Sequence, residues 1–538
     1  MEKNSDDFFR EINNFLKENQ YIKKNAKQSE KYHNACILVQ KEIWWIVFPE
    51  NTKELQELVL LANKFNIKLY PISIWNNWGY GTRNPIVDDS IIVDLSKMDK
   101  ILDFNDTLWY VRIEPGVTQD KLSKFLLENN SKFQMDPTGS SPQTSVLANS
   151  LERGFWIGLH NNHFENLANL EVVLPKWDIL STGFGHYEKS KNKDVYKYGI
   201  WPYIDGLFSQ SNLWIVTAWT IHLAPKFEHL ELMAIKFDDD KKLSEVIDLL
   251  QELKMQKICQ FTINVLHKKR VLSTKNQFPF NKTNKTYLDE NLLEELWKEM
   301  NVSEWNIITT LQWSKVLVAL QKKEITKKLK LVSLKPTFIT EKKLDFIYKY
   351  KIFFGVLMKK ILNLDVEVLY ETLKKTFLIF NWIPSTVSMK SSYYRSHVKY
   401  SDKDPDPARD NWGLYWISPV LPFTWKDVES AYKIWKKICE KYEFDFAPTY
   451  SLATERFIDN TIPLMFDKSN KQEWIRAEKC YREMISEFKQ NWYMIYRSGI
   501  TSMDLVVDDK DMFWEFKKEI KSIIDPNNVI APGKYELL

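Results

Sequence analysis

Three separated segments of this chain carry residue types that could bind an anion or a polarised oxygen. The first is PISIWNNWGYGTRNP, from Pro71 to Pro85, which follows an apolar run and contains Gly79 and Gly81. Backbone N–H groups can face a phosphate where no Cβ blocks the approach, and glycine leaves that space. The segment predicts either a phosphate-binding loop or an ordinary strand-to-turn connection, and taken alone it favours the connection.

The second segment is DPTGSSPQTSVLANSLERG, from Asp136 to Gly154, which is rich in small hydroxyl residues and then becomes helix-like. Hydroxyls and unhindered amides at Ser140, Ser141 and Ser145 would suit phosphate oxygens. The same residue types also favour turns and helix N-caps. On its own the segment is equally consistent with a phosphate site and with a solvated loop.

The third segment is IYRSGITSMD, from Ile495 to Asp504, with Tyr496 beside Arg497. A guanidinium stays charged and can donate two parallel hydrogen bonds to an anionic oxygen. Without further context an arginine at the surface is the better interpretation. A fourth stretch, YIDGLFSQSNLWIVT, reads as a plain turn that enters a strand.

The composition excludes several classes of protein. Charged residues make up 27% and apolar residues 44% of the 538 residues, with a net charge of +4, which is typical of a soluble globular protein and not of a nucleic-acid binder. The amino terminus has no apolar signal core, and no apolar run is long enough to span a membrane. Cys36, Cys259, Cys439 and Cys480 lack metal or disulfide spacing and predict reduced thiols in a cytoplasmic protein.

A metal centre is not predicted from the sequence. His160 and His163 resemble a metal-binding pair only if they lie on a helix, and no third ligand is evident near them. The chain also lacks the HExxH, GxSxG and GxxxxGK[ST] motifs.

Hydrophobic periodicity predicts an α + β protein with two main parts. From Ile43 to about Pro225, short β-like runs alternate with amphipathic helices such as TKELQELVLLANKF and QDKLSKFLLENN. From about Lys226 to Gln490, amphipathic helices dominate and the strand patterns are weaker. A last helix is expected from Phe513 to Ile524.

Taken in order, these segments resemble the vanillyl-alcohol oxidase and p-cresol methylhydroxylase family of flavoproteins. The matching stretches include FPENTKELQELVLLAN, PISI followed by GYG, EPGVTQ, GSSPQTSVLANSLERG, PYIDGLFSQSNL, the YR of IYRSGITSMD, and DPNNVIAPGKYE. They begin near Phe48 and reach the carboxyl terminus. The resemblance is densest over 46–225 and 411–538 and weakest over about 230–400.

The resemblance implies an α + β fold with a two-part FAD-binding domain of the PCMH type and an α + β cap domain over the flavin. The corresponding regions are an N-terminal helical extension over 1–37, the FAD-binding domain over 38–226, the cap or substrate domain over 227–490, and a segment over 491–538 that returns to the FAD-binding domain. It implies FAD as cofactor and no metal.

By resemblance, the loop from Pro71 to Gly81 and the loop from Thr138 to Asn149 wrap the FAD diphosphate. Glu152 to Gly154 continue the surface of the second loop, and Ile215 to Thr217 lie near the adenine or the flavin. The implied cofactor-binding residues are Pro71, Ile72, Ser73, Ile74, Trp75, Asn76, Asn77, Gly79, Tyr80, Gly81, Thr138, Gly139, Ser140, Ser141, Ser145, Asn149, Glu152, Arg153, Gly154, Ile215 and Thr217.

The implied catalytic residues are Tyr80, Tyr496 and Arg497, which match the residues that grip a phenolate in the family. Two phenols and a guanidinium lower the free-energy cost of ionising a phenol oxygen. The ionised ring pushes electrons toward its para carbon, whose substituent loses hydride to flavin N5, so the flavin supplies the redox chemistry.

The implied function is therefore an FAD-dependent oxidoreductase that acts on a small hydroxylated substrate, such as a para-substituted phenol or an alcohol. Two alternatives stay open: a 2-hydroxy-acid dehydrogenase of the D-lactate type on the same fold, and an inactive paralogue without flavin. The resemblance also implies an electron acceptor outside the chain and a homodimer.

Several positions depart from the family pattern. Leu414 stands where the oxidases attach FAD through a histidine, which predicts non-covalent FAD, and Tyr415 is the candidate for a tyrosyl linkage instead. Ser140 stands where the oxidases carry an acidic residue, and Asp459-Asn460 replaces a pair of histidines. These changes bear on phenol specificity and leave FAD binding as the expectation.

Tryptophan is unusually frequent, and glycine is unusually rare. The chain has 14 glycines and 21 tryptophans, whereas average usage predicts roughly 38 glycines. Indoles are poor substitutes for glycine at turns, so we interpret many of them as UGA codons that the source organism translates as glycine. The family pattern has glycine at Trp75, Trp156, Trp177, Trp201, Trp214, Trp425 and Trp492.

Overall fold

Helices and sheets occur together in both parts of the molecule. The computed structural model describes residues 2–24, 26–39, 41–74, 76–155, 157–176, 179–300, 302–355 and 366–537. The predicted α + β class is confirmed by the arrangement of these elements.

The strands of the described residues are short except in the cap. In chain order they are β1 (Tyr21–Lys23), β2 (Ile43–Val47), β3 (Leu69–Ile72), β4 (Ser90–Asp94), β5 (Ile101–Asn105), β6 (Tyr110–Ile113), β7 (Phe133–Gln134), β8 (Leu167–Val173), β9 (Ile179–Ser181), β10 (Ile215–His222), β11 (Ala224–Pro225), β12 (His229–Phe237), β13 (Ile263–His267), β14 (Trp305–Trp313), β15 (Thr337–Ile339), β16 (Trp412–Ile417), β17 (Val420–Pro422), β18 (Thr449–Leu452), β19 (Phe457–Asp459) and β20 (Ile462–Asp467).

The α-helices lie between and after these strands. In chain order they are α1 (Glu2–Ile12), α2 (Glu30–His33), α3 (Thr52–Phe65), α4 (Gln119–Glu128), α5 (Val146–Leu151), α6 (Lys242–Met255), α7 (Lys268–Lys275), α8 (Glu290–Met300), α9 (Lys315–Leu331), α10 (Glu341–Lys349), α11 (Val366–Phe380), α12 (Trp425–Lys441), α13 (Lys471–Gln490), α14 (Met503–Val506) and α15 (Met512–Ile524).

The first sheet has the strand order β1-β2-β4-β3, with β2, β4 and β3 parallel. The helix α3 connects β2 to β3, as a parallel pair requires. The Asn51 side chain accepts from the Glu54 N–H and so starts this helix, and Asn66 ends it in the left-handed conformation. Leu55, Leu58 and other apolar residues at helical spacing face the core, so periodicity alone predicted this element.

The second sheet is antiparallel, with the order β5-β6-β10-β8-β9. The central strand β10 is buried along nearly its whole length. Residues on one of its faces pack in a core with α4 and α5. The two sheets share a core contact at Ile215, which packs with Leu69 and Val173.

The cap is built on a seven-stranded antiparallel sheet with the order β15-β12-β14-β13-β18-β19-β17. Its longest pair, β12 with β14, matches nine residues from His229 opposite Trp313 to Phe237 opposite Trp305. Alternate residues such as Met233 and Ile307 pack in one core with α6, α9, α12 and α13. The sequence indicated the helices of this part more strongly than the strands.

The carboxyl-terminal segment lies against the first sheet. The Leu69 N–H donates to the Val529 carbonyl at 2.8 Å, and the Ala531 N–H donates to the Leu69 carbonyl at 2.7 Å. The buried Lys521 ammonium donates to Asp525 and to the Ile530 carbonyl, which fixes the turn before this contact. The last residues of the chain are therefore held beside the loop that follows β3.

Three tryptophans have a backbone conformation that suits glycine. The φ angle is +62° at Trp109, +58° at Trp382 and +66° at Trp492. A bulky L-residue in this region pays a steric cost of roughly 1–2 kcal/mol. Of the inferred glycine positions that lie within the described residues, only Trp492 is in this group.

The other inferred glycine positions divide into two sets. Trp201, Trp214 and Trp425 have ordinary negative φ, since they are absent from the positive-φ residues. The backbone at those three positions does not require glycine. Trp75, Trp156 and Trp177 lie outside the described residues.

The described part of the chain has neither a membrane-spanning helix nor a metal-binding cluster. Within it, no helix is long and apolar enough to cross a membrane. Within the same ranges, no group of three histidine, cysteine, aspartate or glutamate side chains could hold a metal ion.

We predict that Trp492→Gly stabilises the protein, because glycine removes the steric cost of the positive φ and the indole is 86% exposed. The expected gain is about 1 kcal/mol, seen as a higher thermal unfolding midpoint. Trp201→Gly is the matched control, since Trp201 is 90% exposed but has negative φ, and it should not raise the midpoint. Equal effects of the two substitutions would contradict the argument from φ.

Candidate active site

The loop after β3 lies against the cap strand β16 with almost no space between them. A Cβ on Gly79 would come within 2.5 Å of the Trp416 ring, and a Cβ on Gly81 within 2.8 Å of Ile500. Both glycines also have positive φ, +78° and +136°. Glycine is required at both positions for conformation and for close approach, so the sequence pattern GYG is explained by this contact.

The predicted residues of this loop occupy a continuous path. Pro71 and Ile72 end β3, and Ser73 and Ile74 follow it directly. Trp75 lies outside the described residues. The loop then turns through the residues Asn76, Asn77, Gly79, Tyr80 and Gly81.

The second predicted loop meets the first through a side-chain contact. The Asn76 Nδ2 lies 3.4 Å from Thr144 Oγ1, and the Asn76 Oδ1 is buried without a partner. Gln119, which sequence reasoning did not single out, braces this second loop by accepting from the Thr138 N–H at 2.6 Å and donating to the Ser141 carbonyl at 2.9 Å. The two loops thus form one surface that includes Gly139 and Ser140.

Two predicted polar residues of the second loop already make hydrogen bonds within the protein. The Ser145 hydroxyl donates to the Pro115 carbonyl and accepts from the Ala148 N–H, which makes it the N-cap of α5. The Asn149 Oδ1 lies 2.6 Å from His163 Nδ1. A Cβ on Gly154 would come within 2.3 Å of Asn149, so this glycine allows the turn to close after α5.

The turn after α5 carries a partly buried charge network. The Glu152 carboxylate lies 2.8 Å from the Lys534 ammonium and 3.3 Å from the Arg497 guanidinium. Burial alone would raise the pKa of Glu152, but Lys534 and Arg497 outweigh it and lower that pKa to about 2. Arg153, which follows in the left-handed conformation, donates to Ser209, and its charge also lowers the pKa of Glu152.

Tyr80, Tyr496 and Arg497, the three candidate catalytic residues, lie next to one another in the structure. The Arg497 guanidinium lies 4.2 Å from the centroid of the Tyr80 ring and donates to Asn77 Oδ1 at 2.6 Å. The Tyr80 hydroxyl lies 2.8 Å from Ser418 Oγ, which also hydrogen-bonds the Tyr496 hydroxyl. Three polar side chains from two distant segments are therefore neighbours.

The protonation states in this cluster are fixed by burial and charge. Burial raises the pKa of Tyr80 to about 12 and raises the pKa of Tyr496 further, although the charge of Arg497 opposes both shifts. Burial alone would lower the pKa of Arg497, but Glu152 and the two tyrosines raise it overall. At neutral pH the cluster thus offers two phenolic O–H donors and one cation.

Tyr496 is held from both sides. Its N–H donates to the Ser418 carbonyl at 3.1 Å, and its carbonyl accepts from the Gln210 side chain at 2.9 Å. Its ring packs edge-on against Phe155 with centroids 5.5 Å apart. These contacts fix the direction of the hydroxyl before any substrate binds.

Ile215 and Thr217 do not join this cluster. Ile215 is a core residue of the first part of the molecule, and the Thr217 hydroxyl donates to the Glu171 carboxylate at 2.8 Å. Both are buried in β10.

Sequence reasoning missed three residues of the cluster. Ser418 joins the two tyrosine hydroxyls, Lys534 pairs with Glu152, and Asp459 raises the pKa of both tyrosines. Ser418 and Lys534 lie within the matching segments, but their polar roles follow from contacts over long sequence distances.

The strand β16 contains both candidate positions for a covalent link to flavin. Leu414, at the histidine position, is fully buried and its Cδ2 would lie 3.2 Å from a Cβ on Gly79. The Tyr415 hydroxyl accepts from the Leu38 N–H at 2.8 Å, and its ring stacks on Tyr481 in a different core. Because adjacent strand residues point to opposite faces, Tyr415 faces away from the loop that Leu414 touches.

Comparison with known proteins gives consistent matches. The sequence signature of the FAD binding domain matches residues 45–183. The chain is 31% identical over 496 residues to 1'-carboxy-chondrochloren decarboxylase of Chondromyces crocatus, covering 91% of this chain and 90% of that protein. It is 24% identical over 487 residues to the 4-cresol dehydrogenase flavoprotein subunit of Pseudomonas putida, covering 90% and 85%.

A solved structure extends the likeness to the whole fold. The crystal structure of p-cresol methylhydroxylase with substrate bound superposes with a TM-score of 0.87 at 21% identity, and the match covers 99% of this chain and 97% of that one. The two-part domain and the cap sheet described above are therefore those of the PCMH-type flavoproteins.

We predict that Glu152→Gln destabilises the protein by roughly 2 kcal/mol at pH 7, because it leaves Lys534 and Arg497 without their shared counterion. The folded-state pKa of Glu152 is about 2, below its ordinary 4.5. Its stabilising effect is therefore present above about pH 4.5 and is lost as the pH falls toward 2.

Thermal unfolding of wild type and Glu152→Gln across this pH range measures the effect. The difference between their midpoints should shrink as the pH falls. Glu165→Gln is the matched control, since the exposed Glu165 carboxylate accepts from the neutral Asn162 side chain. A pH-independent difference for Glu152→Gln would contradict the assigned ion pairs.

Proposed function

Because the chain belongs to the vanillyl-alcohol oxidase and p-cresol methylhydroxylase family of FAD-dependent oxidoreductases, we propose that it removes hydride from a small hydroxylated substrate. The preferred substrate class is a para-substituted phenol. The observation that supports this class is the grouping of Tyr80, Tyr496 and Arg497, with the Arg497 guanidinium over the Tyr80 ring and the Tyr80 hydroxyl beside Ser418.

In this proposal the three donors bind the phenol oxygen and favour its ionised form. The pKa of both tyrosines stays high, so they donate and do not compete as anions. Arg497 stays charged and is oriented by Glu152 and Asn77. A low-polarity surrounding strengthens these interactions with the phenolate.

FAD supplies the hydride acceptor when bound. The residues present fit a dinucleotide, because the two loops meet at Asn76 and Thr144 and the buried Asn76 Oδ1 lacks a hydrogen-bond partner. The loop of Pro71 to Gly81 and the loop of Thr138 to Asn149 would hold the diphosphate. Leu414 and the engaged Tyr415 hydroxyl favour non-covalent binding.

The proposal extends to partners and location. It has a small-molecule substrate, an electron acceptor outside the chain, and no nucleic-acid or membrane partner. The proposal also includes a homodimer and a cytoplasmic location. The location is supported by the four cysteines, which are all buried free thiols: Cys36, Cys259, Cys439 and Cys480. The boundaries at 37/38, 226/227 and 490/491 belong to the same proposal.

The proposal also includes glycine at several positions written as tryptophan. The positive φ of Trp109, Trp382 and Trp492 supports it. The buried indole N–H groups of Trp214 and Trp382 lack hydrogen-bond partners, which also argues against native indoles there. We propose that UGA codons, translated as glycine in the source organism, account for these residues.

We predict that Arg497→Gln lowers kcat/KM for p-cresol or vanillyl alcohol by about 100-fold or more, because the phenolate loses its cation. Anaerobic loss of the flavin absorbance on mixing with substrate measures the rate. Arg482→Gln is the matched control, since Arg482 pairs with Asp504 at the surface, and it should react like wild type.

Two substrates complete this experiment. The O-methyl ether of the same phenol cannot ionise and should not reduce the flavin. Rapid reduction by D-lactate, with no response to phenols, would instead support the 2-hydroxy-acid alternative and overturn the phenol proposal.

We predict that Trp75→Gly raises FAD affinity by about tenfold or more, because the loop of the diphosphate then carries no indole beside the cofactor. Trp78→Gly is the matched control, since Trp78 lies in the same loop but packs in a core with Leu414, and it should not gain affinity. Fluorescence titration of the purified apoprotein with FAD measures both.

The coding sequence tests the recoding independently. UGA is expected at positions 75, 177, 201 and 214. UGG codons there would refute recoding. A protein that carries all of its tryptophans and binds FAD as tightly as the Trp75→Gly variant would refute the predicted effect of recoding on FAD affinity.

A further inference from the structure

Asp459 and Asn460 form a buried polar pair at the end of β19. Asp459 is 4% exposed and Asn460 is fully buried. The Asp459 Oδ1 and both polar atoms of the Asn460 side chain lack hydrogen-bond partners among the described residues. Leaving such groups unpartnered is costly, which indicates that a ligand or a proton transfer uses them.

The pair lies beside the proposed phenol site. The Asn460 N–H donates to the Pro419 carbonyl at 3.2 Å, and the Tyr496 N–H donates to the carbonyl of the adjacent Ser418 at 3.1 Å. The Ser418 hydroxyl lies 2.8 Å from the Tyr80 hydroxyl, so the backbone places the pair beside both tyrosines. The charge of Asp459 accordingly raises the pKa of Tyr80 and of Tyr496. The other carboxylate oxygen, Asp459 Oδ2, makes a weak hydrogen bond with Thr461 Oγ1 at 3.5 Å. In the part of the chain that the structure describes, Asp459 has no ion pair with a lysine, an arginine or a histidine.

The elements around Asp459 add no other titratable group opposite it. In the sheet, Val420 of β17 and Ser451 of β18 stand across from it. The titratable groups that face it are Tyr80 and Tyr496, and Arg497 lies behind them.

The charges of the site determine where a proton can go. Arg497 and Lys534 contribute two positive charges and Glu152 one negative charge, which leaves one positive charge. An ionised Asp459 balances this charge in the empty site. A bound phenolate balances it equally well, but a phenolate and an ionised Asp459 together would leave an uncompensated buried anion, which is unfavourable.

We propose that Asp459 accepts the proton of the phenolic hydroxyl as the substrate binds, an inference that rests on the proposed function. The phenol O–H bond breaks and an O–H bond forms on the Asp459 carboxylate. A neutral phenol and a carboxylate become a phenolate and a neutral acid, so the net charge of the site is unchanged. The receiving atom is Asp459 Oδ1, which has no hydrogen-bond partner among the described residues.

The titration of Asp459 suits this role. Burial raises the pKa of Asp459 to about 7. The carboxylate form, which can accept a proton, therefore predominates above about pH 7, and affinity for a neutral phenol should rise with pH through that value.

The test is phenol binding to the FAD-loaded protein, followed with 4-hydroxybenzaldehyde, whose ionised form has its own ultraviolet band. Calorimetry in buffers of different ionisation enthalpy counts the protons released to solvent. Wild type above pH 7 should show the phenolate band with little proton release. Asp459→Asn should either release about one proton per bound phenol or bind the phenol un-ionised, and the rise in affinity near pH 7 should disappear.

Asp459→Ser is a second variant in case the first does not fold, and Glu478→Gln is the matched control. Glu478 is a buried carboxyl with a raised pKa that hydrogen-bonds Tyr415 away from the site, so this variant should behave like wild type. Equal proton release and equal pH dependence in wild type and both Asp459 variants would overturn the inference alone. Failure of wild type to bind phenols would overturn the proposed function as well.

Discussion

The ion pairs of Glu152 with Arg497 and Lys534 are the interaction on which the candidate active site depends. They join the turn after α5, the segment after α13 and the carboxyl-terminal segment, which are far apart in sequence. A buried arginine without a counterion is strongly unfavourable. The network therefore keeps a cation at the site and also fixes how three parts of the chain meet.

A second constraint is the close approach of backbone to backbone. Gly79 and Gly81 allow the loop after β3 to touch β16 and the segment of Ile500. Trp416 and Ile500 occupy the space beside these glycines, so the amides proposed to hold a dinucleotide are those around Asn76. A tryptophan in this loop conflicts with its close packing and with a dinucleotide bound along it. The identity of the residue at position 75 therefore bears directly on the proposed cofactor binding.

Much of the first half could be predicted from the sequence because its signals are local. The helix α3 was expected at its observed bounds, since the Asn51 cap and the apolar period lie within it. The strands β12 and β14 were indicated only weakly, because their stability comes from pairing across 70 or so residues of chain rather than from local pattern.

The site was predictable in part for the same reason. Tyr80, Tyr496 and Arg497 were identified through the order of the segments around them. Ser418 and Asp459 were not assigned roles, because their positions beside the tyrosines follow from the folding of the cap over the loop. Substitution of the family's paired histidines by Asp459 and Asn460 changes the proton chemistry of the site, which a comparison of residue types alone did not reveal.

The most direct test of the account is an experimental structure of the protein with FAD and an unreactive phenol bound. We predict that the phenol oxygen lies within hydrogen-bond distance of the Tyr80 and Tyr496 hydroxyls and the Arg497 guanidinium, with Glu152 still paired to Arg497. A phenol bound with its oxygen away from these three residues, or an Arg497 that has left Glu152, would contradict it.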